Sequence, residues 1–147
     1  MKKIFVAFMM MLASISSIHA FDFDGISLNL RKAKIAQEIT KRGYVYDAER
    51  DCLRGMCQGQ EIFLRINDYD VKKEGMVGQL IIEMPNQNAP AALNHIVEVF
   101  NVIYHQVGKT DKTVTYQIDP DGTQLVVSQN GKSVILTYNT PYYKAAK

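Results

Sequence analysis

Two runs of alternating residues, Thr123 to Gln129 and Lys132 to Asn139, flank the dipeptide Asn130-Gly131. Asn-Gly tolerates the positive φ angles of a tight two-residue loop, and alternation is the mark of a strand with one buried face. The pair therefore reads as an antiparallel hairpin, which commits this part of the chain to a sheet with one face turned to a core. Leu125, Val127, Val134, Leu136 and Tyr138 fall on the inward side and Val126, Ser128, Ile135 and Thr137 on the outward side.

The rest of the chain supplies what such a sheet needs. A helix is expected from about Asn29 to Arg42, with Ala33, Ile35, Ala36, Ile39 and Thr40 as its inward stripe and Gly43 as its stop. Strands follow at Tyr44 to Asp47, Cys52 to Cys57 and Gln60 to Asn67, the last two joined by a turn at Gln58-Gly59, and another runs from Met76 to Met84 after a polar loop. Pro90 then opens a second helix at its first position, where a missing N–H costs nothing. Its stripe of Leu93, Ile96, Val97, Phe100, Ile103 and Tyr104 has the 3.6 period, and Asn94, Glu98, Asn101 and His105 lie opposite. Thr113 to Asp119 is the strand before the opening hairpin, closed off by Pro120-Asp121-Gly122.

Helix, strands, helix, strands suggests duplication, and a shift of 72 residues brings Tyr44 onto Tyr116, Asp47 onto Asp119, Leu53 onto Leu125, Gly59 onto Gly131 and Leu64 onto Leu136. The fold expected is α+β: two tandem α-β-β-β(-β) repeats, about 21–84 and 85–147, forming one curved antiparallel sheet with two helices on one face. With Gly25-Ile26, Gly43-Tyr44, Leu53-Arg54-Gly55 and Gln58-Gly59 before Ile62, this arrangement resembles the β-lactamase-inhibitor-protein fold and small secreted domains that share it. The resemblance implies a non-enzymatic protein that binds another protein. It also implies a disulfide in each repeat, whereas the second half here has no cysteine. An acidic-aromatic loop belongs to that family; Asp68-Tyr69 is such a pair, placed in the long loop after the third strand.

Residues 1–20 have the layout of a cleavable export signal: Lys2 and Lys3, an apolar run from Ile4 to Ala13, and a polar approach to Ala20. The run has about half the apolar residues of a bilayer-spanning helix, and Phe21 stands where a lipoprotein would need cysteine. The expectation is an exported domain, periplasmic or extracellular, of the 127 residues after Ala20, with no membrane anchor. Removing Lys2 and Lys3 from 17 basic residues leaves 15 against 15 acidic ones, so the basic balance of the full chain is no argument for a nucleic-acid partner. Cys52 and Cys57 are the two cysteines. On one strand they point to opposite faces about 16 Å apart, against a disulfide, although a turn at Gly55 would bring them closer.

Alternation places Leu53, Cys57, Ile62, Leu64, Leu80, Ile82 and Met84 inward with Tyr44, Tyr46, Tyr116 and Ile118. The outward face collects Val45, Cys52, Arg54, Met56, Phe63, Arg65, Val77, Gln79, Ile81, Glu83, Thr115, Gln117, Val126 and Ile135. Apolar anchors and arginines with few lysines have the composition of a protein-binding surface, with Arg54, Met56, Phe63, Arg65, Ile81, Val126 and Ile135 as its residues and Asp68 and Tyr69 as a flanking loop. Antiparallel sheets also carry exposed β-branched residues with no partner. His95 and His105 are too far apart on one helix to share a metal, Asn67 to Glu74 lacks the calcium-loop register, and no nucleophile elbow or phosphate or dinucleotide glycine motif occurs. No cofactor, metal or catalytic set is expected. The function expected is a binding module for a protein or peptide, the alternative an envelope-associated domain that associates with itself.

Overall fold

A computed structural model describes residues 22–23, 26–57, 59–120 and 122–144. The expected export signal, Gly25, Gln58, Asp121 and the last three residues lie outside these. The described chain opens with a small hairpin, β1 (Asp22–Phe23) and β2 (Ile26–Ser27), then helix α1 (Lys32–Lys41). Strands β3 (Val45–Asp47), β4 (Cys52–Cys57), β5 (Gln60–Asn67) and β6 (Gln79–Pro85) come next. Helix α2 (Ala89–Ile103) precedes β7 (His105–Lys109), β8 (Thr113–Gln117), β9 (Gln124–Asn130) and β10 (Ser133–Asn139). The eight later strands make one antiparallel sheet in the order β3-β4-β5-β6-β10-β9-β8-β7. The class is α+β, with two helices among the described residues.

The opening hairpin forms, and its loop sits one residue later than Asn-Gly suggests. Asn130 still pairs with Ser133, so the loop is Gly131-Lys132, and Gly131 at φ 60° takes the first loop position, where a II′ turn calls for glycine. The β4–β5 hairpin closes on Cys57 opposite Gln60. Leu53 therefore faces Leu64, but Leu125 faces Tyr138. The 72-residue shift aligns the sequences of these hairpins without aligning their pairing.

β7 was not expected; His105 was placed on the second helix. That helix ends at Ile103, and Tyr104 takes an extended backbone (φ −125°, ψ 160°). From there its ring packs edge-on to Phe100, centroids 5.2 Å apart, and lies 6.4 Å from Tyr116. Tyr104 thus reaches the core from an extended residue, which is why its apolar position mimics one more helical turn. Asn88 caps the start of α2 by accepting from the Ala91 N–H, with Pro90 in the first turn.

Both helices lie over the same side of the sheet. Ile35 and Ile39 of α1 and Ala92, Ile96 and Phe100 of α2 share one cluster with Ile62, Leu64, Leu80, Ile82, Val127, Leu136 and Tyr138. Burying each large aliphatic side chain contributes about 1.5–3 kcal/mol. The α1 stripe is narrower than expected, since Ala33 and Thr40 are exposed and only Ile35 and Ile39 are buried. Two strand positions also differ from expectation, Val77 in its side and Tyr46 in its burial. Val77, expected outward, lies before β6 begins and is fully buried in the core. Tyr46, expected inward, is 61% exposed because β3 is the sheet's edge strand.

Candidate binding face

The other side of the sheet has no helix over it among the described residues. Register puts its side chains in rows that cross the strands. One row runs Val45, Arg54, Phe63, Glu83, Ile135, Ser128, Thr113. The next holds Arg65, Ile81, Thr137, Val126 and Thr115. A third runs Asn67, Gln79, Asn139, Gln124, Gln117, His105. Ile81, Val126 and Ile135, expected as apolar anchors, are half-buried at the centre of this face. Met56, at the β4 end, is 60% exposed.

The β3–β4 turn closes one corner. Asp47 Oδ1 accepts from the N–H groups of Glu49 and Arg50, which folds the turn back, and Asp51 completes it at a left-handed φ of 50°. The Tyr46 hydroxyl donates to Asp51 Oδ1 at 2.6 Å. Arg50 is thereby carried over Phe63, its guanidinium carbon 4.2 Å from the ring centroid. Arg65 donates to the Arg50 carbonyl and, at 3.2 Å, to Glu83 Oε1, while Ser133 donates to Glu83 Oε2. Arg54 stands 3.9 Å from Asp47.

Two expectations are corrected at this corner. Phe63, expected as an exposed anchor, is 3% exposed because the turn residue Arg50 lies on its ring. Cys52, expected on the open surface, is buried as well. Burial pushes its thiol above the ordinary cysteine range, Arg65 and Arg50 opposing and Asp47 and Glu83 reinforcing the shift. Such a thiol is a poor nucleophile. Cys57 is buried in the core on the opposite face, and neither cysteine forms a disulfide.

The third row is what sequence reasoning missed. Asn67 Nδ2 donates to Gln79 Oε1 at 2.8 Å, and Gln79 Nε2 to Asn139 Oδ1 at 2.7 Å. The carboxamides of Gln124 and Gln117 continue the row and bond no described residue. Gln79 and Gln117 were placed on this face by alternation. Asn67 stands both at the end of the third expected strand and at the start of the polar loop, and Asn139 and Gln124 meet Gln79 only because β10 pairs with β6, which no local pattern reveals.

The expected binding loop is tied down. Asn67 Oδ1 accepts from the N–H groups of Tyr69 and Asp70, Asp68 forms an ion pair with Lys32, and Val71 bridges to Tyr143. The Lys72 N–H donates to the Tyr142 carbonyl and the Lys144 N–H to the Asp70 carbonyl. Lys32, through its hydrogen bond, holds the Asp68 carboxyl below the usual range. Tyr69 stands out from this loop, 79% exposed.

Among the described residues no group of three or more His, Cys, Asp or Glu gathers as a metal would require, and no helix is long and apolar enough to cross a membrane. His95 lies on α2 and His105 on the edge strand β7. No family model matches the chain, and neither a curated protein nor a solved structure is significantly similar to it.

Proposed function

We propose that the chain is an exported, non-enzymatic binding module that holds a protein or peptide against the open face of its sheet, in the manner of an inhibitor or adaptor. One observation carries this reading: Ile81, Val126 and Ile135 are only half-buried at the centre of a face that no helix of the described residues covers, while the opposite face packs α1 and α2. The reading takes the two halves as repeated units, as in the β-lactamase-inhibitor fold. Each helix is followed by four strands, and the last strand of each set, β6 and β10, meet at the middle of the sheet, which supports it. A photo-crosslinking residue at Val126, compared with one at exposed Gln37 on α1, tests the proposal in the native envelope. A discrete adduct at Val126 alone is expected; equal labelling from both positions would sink the reading.

A second reading, an envelope domain that associates with itself, has its own support. Among the described residues, six of the seven exposed large apolar ones sit at the two ends of the sheet, Val45, Tyr46 and Met56 near β3 and Val102, Ile103 and Val107 near β7. Sedimentation at micromolar concentration separates the readings. A dimer dispersed by Val102→Asp with Val107→Asp favours self-association, and a monomer removes it.

A further inference from the structure

We infer that the carboxamide row on the open face is a clamp for the backbone of an extended, uncharged peptide lying across the strands; the inference rests on the open-face reading above. A carboxamide presents a donor and an acceptor in one plane, the pair a peptide group needs. The row is oriented from one end. Asn67 has its oxygen taken by two backbone N–H groups, so its amide group must donate onward, to Gln79 and through Gln79 to Asn139. Beyond that anchored stretch, Gln124 and Gln117 have both functions unused among the described residues. From Asn67 on β5 to His105 on β7 the row spans about 24 Å, the reach of about seven extended residues.

The neighbouring row completes the site. Ile81, Thr137, Val126 and Thr115 are half-buried and face out beside the amides, where every second side chain of an extended ligand would rest. Arg65 is the one Lys, Arg, Asp or Glu in these two rows, and it is paired with Glu83, so nothing there calls for a charged ligand.

Two rival modes fit less well. Adding a strand to the sheet edge needs a long flat edge, and β3 has three residues while β7 is bulged between Gln106 and Gly108. A sugar would call for an exposed ring within the rows to stack on; the strand ring of this face, Phe63, is under Arg50, and exposed Tyr69 lies in the flanking loop outside the rows.

The test uses the full exported chain and a fluorescein-labelled, end-blocked peptide of about eight alternating Ser and Val residues, matched to the length of the row. Native protein should bind it, and Gln117→Leu with Gln124→Leu should weaken binding about tenfold, the loss of about two ordinary hydrogen bonds. Gln37→Leu on α1 should leave it unchanged, and equal melting temperatures would show that the fold is kept. No binding by the native chain at millimolar peptide overturns the inference. So does tighter binding of maltoheptaose than of the peptide. If Val126→Asp abolishes peptide binding and the glutamine pair does not, the open-face reading stands and the clamp falls. If neither changes it, both fall.

Discussion

Ile135 and Leu136 are neighbours on one strand with nearly the same side-chain volume, yet Leu136 is fully buried and Ile135 half-exposed. The difference lies in what is packed on each side: α1 and α2 over one face and, among the described residues, no helix over the other. Within the open face there is a second contrast. At the β3–β5 corner the face closes on itself, with Arg50 over Phe63 and Arg65, Glu83 and Ser133 joined by hydrogen bonds. Across β10, β9 and β8 it carries Thr137, Val126, Ser128 and Thr115 with no such cover. One side of the sheet is thus buried under α1 and α2, and part of the other is left half-exposed.

The sharpest way to break this comparison is to truncate both neighbours. Leu136→Ala should cost about 3 kcal/mol in urea denaturation and Ile135→Ala about 1 kcal/mol. Equal losses would mean that the open face is packed in solution.

Gly55 probes how tightly the covered side fits. A Cβ there would stand 2.3 Å from Tyr44 Cδ2, so Gly55→Ala should cost about 1–3 kcal/mol, and combining it with Tyr44→Leu should recover part of the loss.

At the closed corner, Arg50→Ala removes the cover from Phe63 at a cost of about 0.5–1 kcal/mol. Cys52 should then react faster with a thiol reagent while Cys57 stays slow, because Cys57 is in the core. An unchanged Cys52 rate would show that the turn does not protect it.

The smallest effect belongs to Asp68. Its carboxyl is held below the unfolded value by Lys32, so the pair stabilises the fold above the unfolded pKa and the contribution is lost as pH falls through the folded one. The pair is partly exposed, worth about 0.5 kcal/mol. Asp68→Asn should flatten the acid side of the stability profile by that much; an unchanged profile would mean that the loop owes nothing to this pair.

Much of the fold was legible because its signals are local. The 3.6 period marks α2, alternation marks β4, β5, β9 and β10, and turn glycines mark two hairpins. β7 was hidden because His105 to Lys109 has an edge strand's exposure on both faces and so no alternation. Arg54, Arg65, Ile81, Val126 and Ile135 were placed on the right face. Phe63 and Cys52 were assigned to that face correctly but not to their burial, since strand parity gives direction and says nothing of a turn folding back from Asp47.

What the sequence determined by itself is most of the elements and the face most strand residues take, because backbone geometry ties side-chain direction to sequence spacing of two or 3.6. Only the tertiary structure decided that β6 meets β10, that Arg50 covers Phe63, and that Asn67, Gln79, Asn139, Gln124 and Gln117 stand in one row. Those depend on which strands become neighbours. That choice is made by burying the inward faces under both helices together, a condition no single stretch of residues contains.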